Sequence, residues 1–344
     1  MKRNIFLGIF LGVGVLGVVF LFWQRRDAFD LPRGESVTET IMVQQPSGQT
    51  AEEKEIFVTD GARHSVPLEE LRSGGPPKDG IPSIDNPKFL SVQEANDWLA
   101  DEEPGIAFSM GNTHRFYPYQ IMVWHEIVND TVEGQRVLVT YCPLCLTGYV
   151  LDPMVQGERV EFGTSGKLWK SNLVMYDRKT DSLWSQVLGE AIVGEMTGTK
   201  LAILPSDQVR FGDWRKKYPQ GQVLSKDTGS FRSYGSNPYG DYFSATNLAL
   251  SLANPTDTRL ENDALVFGIV INDKAKAYSV DAVKREGVVE DSFQGKTILL
   301  RHDQEFDVVR MYEKLDNGTE ERINPISGFW FSWAAAYPET ELYK

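Results

Sequence analysis

Cys142-Pro143-Leu144-Cys145 holds the only two cysteines of the 344-residue chain, and their spacing suits three kinds of chemistry. Two such thiols can close into a disulfide, exchange electrons with another thiol, or hold a soft metal ion. Proline after the first cysteine favours a turn or a first helical position, where free backbone N–H groups lower a thiol's pKa. As ligands, two thiolates with one imidazole suit copper, and less readily zinc, which wants a fourth protein ligand or an open water position. His302 and His125 are the candidate imidazoles, with Met122 or Met110 as a weak thioether. No second Cys-x-x-Cys points to zinc. A plain structural disulfide accounts for the same two residues equally well.

Hydrolytic and nucleotide chemistry has less support. The chain carries no G-x-S-x-G elbow, no H-E-x-x-H and no Walker loop. Cys142, His302 and Asp303 form a conceivable nucleophile set. Tyr176 to Gln186 concentrates polar groups and an indole; a turn capped by Asp177 and Thr180 explains most of those letters, with ligand contact as the lesser reading. Asn237-Pro-Tyr-Gly-Asp241-Tyr reads the same way.

The cysteines sit at the end of the apolar run Val137 to Tyr141, which reads as a strand. Strand patterns surround it from Gly105 onward, and the βαβ context of a thioredoxin-like protein is missing. A helix is expected from Asp207 to Tyr218, stopped by Pro219, and a capping box at Ser91-Val-Gln-Glu94 opens a short helix. His64 reads as a solvated loop residue.

Shifting the chain against itself by 161 positions puts Tyr117 on Tyr278, Val128 on Val289, Asp130 on Asp291, Gly134 on Gly295 and Leu138 on Leu299. A one-residue slip later brings Ser165-Gly166 onto Ser327-Gly328. Matching turn glycines and strand pattern point to an internal duplication whose halves pair into one body. On that register Tyr141 falls on His302 and Cys142 on Asp303, so a pseudo-twofold axis near those strand ends would gather Cys142, Cys145 and His302.

Residues Ile5 to Trp23 are apolar without exception, between Lys2-Arg3 and Arg25-Arg26. That length just spans a bilayer, and no small-residue cleavage site follows, so an uncleaved anchor is expected, with the bulk outside the cytoplasm. With 35 basic against 48 acidic residues the formal charge is −13. No basic cluster interrupts this balance, which excludes nucleic acid as a partner.

The expected class is α+β and β-rich, built from two related halves. Residues 1–26 form the transmembrane anchor, 27–80 a tether and irregular lead-in, and 81–344 the folded domain. Its halves lie at about 105–177 and 266–338, with an elaboration at about 178–264. The first functional expectation is a thiol or metal site at Cys142 and Cys145, assisted by His302 and His125, in extracytoplasmic redox or copper handling. Its partners would be the membrane and a thiol-redox or metal-donor protein. The rival is a binding or scaffold module with a structural disulfide.

Several motifs together carry a resemblance. Trp124-His-Glu-Ile-Val-Asn-Asp130, Val139-Thr-Tyr-Cys-Pro-Leu-Cys145, Phe162-Gly-x-Ser165-Gly, Met175-Tyr-Asp-Arg178, Ser182-Leu-Trp-Ser-Gln186, Asn237-Pro-Tyr-Gly-Asp-Tyr242 and Phe329-Trp-Phe-Ser-Trp333 resemble a bacterial and archaeal family known as domain of unknown function 3179. The similarity covers roughly residues 80 to 340. It implies an exported or membrane-anchored protein and no assigned reaction. Leu146 departs from it, standing where glycine is frequent in the family.

Overall fold

Strand-forming runs and tight turns dominate the chain from Gly105 onward, and a computed structural model, which describes residues 31–43, 51–240 and 256–344, folds them into sheets. Strands hold 48% of the residues and helices 12%, in a propeller-like, half-barrel arrangement. The expected α+β class is corrected to a mainly β one, because the helices Tyr119–His125, Phe211–Lys217, Val280–Glu286 and Trp330–Ala336 are only seven residues each. Among the described residues no helix is long and apolar enough to cross a membrane. The anchor expected at Ile5 to Trp23 lies outside the described residues, so the transmembrane helix is withdrawn from the description of the fold.

Two runs of elements share the same order. The strands Pro104–Met110 and Thr113–Pro118, the helix Tyr119–His125, and the strands Ile127–Val132, Gln135–Cys142 and Thr147–Asp152 make the first run. Each begins 161 residues before its counterpart in Leu265–Ile271, Lys274–Ser279, Val280–Glu286, Val288–Phe293, Lys296–Asp303 and Val308–Lys314 (104 against 265, 147 against 308). Both runs end in a strand, a helix and a strand: Ser206–Arg210, Phe211–Lys217 and Gln222–Leu224, against Ile326–Phe329, Trp330–Ala336 and Glu341–Tyr343. In each, the first closing strand pairs antiparallel and the last parallel to the opening hairpin.

The correspondence therefore spans 104–224 and 265–343, and what interrupts it is 153–201 rather than 178–264. Strands Phe162–Trp169, Asn172–Asp177, Leu183–Ser185 and Glu190–Val193 of that insertion join Ser36–Val43, Glu52–Thr59, Ala62–His64 and Leu71–Ser73 in one eight-stranded sheet. Much of the segment read as tether and irregular lead-in is thus strand. His64 is buried there between Thr59 Oγ1 and the Val66 carbonyl, both at 2.8 Å, rather than solvated. Ser165-Gly166 lies at a bulge in this sheet, whereas Ser327-Gly328 lies in the strand equivalent to Ser206–Arg210. Their sequence match is not a structural one. The helix expected from Asp207 begins only at Phe211, since Ser206–Arg210 is drawn into the sheet beside Pro104–Met110.

Each half plugs its central hairpin into the other. Phe306 and Val308 pack with Phe211 and Trp214 of the first half. In return the Phe329 N–H donates to the Cys145 carbonyl at 2.9 Å. Close approach in the second half depends on Gly268, where a Cβ would stand 2.2 Å from the Trp333 ring. Gly268→Ala is expected to cost about 3 kcal/mol by overpacking, read as a lowered denaturation midpoint with unchanged slope.

Candidate functional site

The cysteine strand is apolar because both its faces are covered: Val137 to Cys142 are all buried. It pairs with Thr147–Asp152 so that Cys142 stands opposite Thr147, leaving Pro143 to Leu146 as the turn. Proline here serves that turn and begins no helix, so no helical N–H groups serve the thiols. The turn closes through Leu146 at φ +52°, the left-handed region that glycine adopts most freely.

The two sulfurs lie 2.9 Å apart, with Cys142 1% and Cys145 0% exposed. They are free thiols. Their surroundings differ. Cys145 Sγ accepts from Asn172 Nδ2 at 3.0 Å and from Thr147 Oγ1 at 3.5 Å. Burial alone would push the Cys145 thiol up, but hydrogen bonds from Cys142, Thr147 and Asn172 outweigh it and hold the pKa below the ordinary value. The Ser332 hydroxyl of Trp330–Ala336, which makes no well-formed bond of its own, acts in the same direction. Burial drives Cys142 well up, and the Cys145 and Glu126 charges add to it. Of the two thiols, Cys145 is thus the more readily ionised and Cys142 the more firmly protonated.

Asn172 is fixed on both ends of its amide. Its Oδ1 accepts from the Val187 N–H at 2.8 Å, and its Nδ2 also reaches Gln186 Oε1 at 3.1 Å. Gln186 in turn donates to Thr140 Oγ1 and the Thr147 carbonyl at 3.1 and 3.2 Å. The insertion's sheet thereby delivers two buried amides to the hairpin. Asp177 caps its turn, bonding the Thr180 N–H, Thr180 Oγ1 and Trp184 Nε1, as the turn reading of that motif expects. Gln186, at the motif's end, belongs to the thiol site.

Glu126 caps the helix Tyr119–His125 in the left-handed region, at φ +59°. Its carbonyl accepts from the Tyr141 N–H at 2.8 Å, which sets it beside the end of the cysteine strand. Its carboxyl is buried at 6% exposure and accepts from Tyr239 Oη at 2.6 Å. Burial pushes its pKa up to about 7, against a smaller lowering by Tyr239. The same position in the second half is Gly287, at φ +76°. Sequence reasoning passed over Glu126, although the 161-residue register already sets it against that glycine.

The histidines stand elsewhere. His125 is buried, with Nδ1 2.7 Å from the Pro82 carbonyl and Nε2 2.6 Å from Tyr234 Oη, so both ring nitrogens are engaged. Burial lowers its pKa. His302 meets Asp307 Oδ1 at 2.9 Å on the second hairpin, and Asp303 pairs with Arg310. That hairpin docks on the first half's closing helix, while the cysteine hairpin docks on the second's, so the two hairpin tips serve separate contacts. Among the described residues no group of three or more His, Cys, Asp or Glu is placed to hold a metal ion. The expected ligand set Cys142, Cys145, His302 and His125 is not gathered, and neither is the Cys142, His302, Asp303 set. Met122 and Met110 pack with the first half's core.

A family model described as "Protein of unknown function (DUF3179)" matches residues 78–340. No curated protein and no solved structure matches the chain.

Proposed function

The chain belongs to this family of proteins of unknown function, and from the site it carries we propose that Cys142 and Cys145 form a redox couple cycling between dithiol and disulfide. The observation that carries the reading is the Asn172 amide, a buried donor 3.0 Å from the Cys145 sulfur. A disulfide sulfur is a poor acceptor and gains little from such a donor, whereas a thiolate is stabilised by it. The different settings of the two thiols supply the rest: one sulfur ready to attack, the other holding its proton until the second step. Both sulfurs are covered, so exchange with a small disulfide is favoured over exchange with a bulky protein one.

The test counts thiols on the full chain. Protein held in reduced or in oxidised dithiothreitol is quenched in acid, unfolded, alkylated and weighed. Two alkyl groups on the reduced form and none on the oxidised form, reversibly, are expected. Two alkyl groups under both conditions would overturn the reading. Cys142→Ser and Cys145→Ser each leave one alkylatable thiol throughout, which controls for reaction between molecules.

A further inference from the structure

The two halves repeat one hairpin and one helix end, yet they differ at two linked places. At the hairpin tip, the second half has Phe306, buried against Phe211 and Trp214, where the first has Cys145. At the helix end, the second half has Gly287 where the first has Glu126. The fold's own solution for that helix end is glycine, whose left-handed backbone costs no Cβ clash. Glutamate there keeps a strained backbone and buries a carboxyl, each of which disfavours the fold. That combination occurs in the half that carries the thiols, beside the end of the cysteine strand.

We propose that the Glu126 carboxylate is the proton acceptor of the Cys142 thiol, taking its proton as the pair closes and returning it as the pair opens. This rests on the redox reading of the same pair. The Tyr141 N–H to Glu126 carbonyl bond fixes the helix end beside the cysteine strand, and the Glu126 charge adds to the burial and the Cys145 contact that push the Cys142 thiol up. Among the described residues, few groups bear on the carboxyl. Tyr239 donates to it from the 225–240 segment, and Cys142 follows Tyr141 in the strand that the Glu126 carbonyl binds, the thiol itself lying 4.0 Å from the Ser171 carbonyl. His125, next in the chain, turns its ring to Pro82 and Tyr234. A carboxyl titrating at about 7 is matched to moving a thiol proton near neutral pH.

The step balances with a small disulfide as oxidant. The Cys145 thiolate attacks one sulfur of the reagent, whose S–S bond breaks and whose other sulfur leaves as a thiolate. Cys142 then passes its proton to Glu126 and attacks Cys145 Sγ. The second reagent sulfur leaves as a thiolate, and Glu126 keeps the proton until the pair reopens. Two electrons pass from the cysteine pair to the reagent, which ends as two thiolates.

The experiment monitors closure of the reduced full chain by oxidised dithiothreitol from pH 5 to 9, by acid quench and alkylation, in wild type, Glu126→Gln and Glu126→Gly. The glycine variant copies the second half, which keeps folding intact. Wild type is expected to show an inflection near pH 7 that both variants lack, with closure at pH 7 slowed about 100-fold in each. A reduced-minus-oxidised infrared difference should contain a protonated-carboxyl band in wild type that is missing from Glu126→Gln. Variants that close at the wild-type rate with the wild-type pH profile, or a wild-type difference without that band, would overturn the role of Glu126 while leaving the redox couple standing. Failure of wild type to close at any pH would instead overturn the couple, and the role of Glu126 with it.

Discussion

Replacing Glu126 with glutamine is expected to flatten the pH dependence of stability between about pH 4.5 and pH 7. The carboxyl titrates at about 7 in the fold against 4.5 unfolded. An acid whose pKa is raised by folding holds its proton in the native state. It costs nothing below the unfolded value, and its stability contribution is lost as pH rises through the folded value. Two and a half pH units correspond to about 3 kcal/mol, which wild type loses on going from pH 4.5 to above 7 and Glu126→Gln does not. Glu126→Gly removes the same titration and also relaxes a left-handed backbone, by about 1 kcal/mol, so above pH 7 it should be more stable than wild type despite losing the Tyr239 bond. Urea unfolding at pH 4.5, 6 and 8 reads both effects. A wild-type stability that holds level across this range would contradict the burial of an ionisable carboxyl there. A site that keeps such a group against stability fits a functional constraint better than a structural one.

Asn172→Ala should be the most damaging single truncation at the site. It strands the Val187 N–H and Gln186 Oε1, both buried, and removes a donor from the Cys145 sulfur. Leaving buried partners unsatisfied costs about 1 to 3 kcal/mol for each, so a loss of about 3 kcal/mol is expected from the denaturation midpoint. The same substitution should raise the Cys145 thiol pKa, monitored by thiolate absorbance near 240 nm in Cys142→Ser and in the double variant. A stability loss with no change in thiol titration would leave Asn172 as a packing residue only.

The strand that ends in the cysteines was legible because its apolar run and turn residues are local signals, and the register of the first six elements was legible because it has no gap. The insertion hid the closing strand, helix and strand of each half. Past 153–201 the offset between the halves falls from 161 to 119. At that offset Trp214, Tyr218 and Pro219 meet Trp333, Tyr337 and Pro338 (333 less 214 is 119), a match invisible at the first offset. Without it, nothing kept His302 from the cysteines, whereas in the fold each hairpin docks across on the other half. Asn172 and Gln186 carry no signal of their own: a buried amide in a strand is recognised only once the partner sheet is in place. Glu126 did carry one, since a glutamate aligned with a helix-ending glycine is a local conflict, and such conflicts gather at functional sites.

The redox couple is tested most directly by its equilibrium with dithiothreitol. Full-length protein is equilibrated across a series of reduced-to-oxidised ratios, quenched in acid and counted for thiols. A single two-electron transition is expected, with a midpoint above about −300 mV, the level below which structural disulfides typically lie, and it should vanish in Cys142→Ser and Cys145→Ser. A pair that stays oxidised below that potential, or two thiols that stay reduced throughout, would contradict the account.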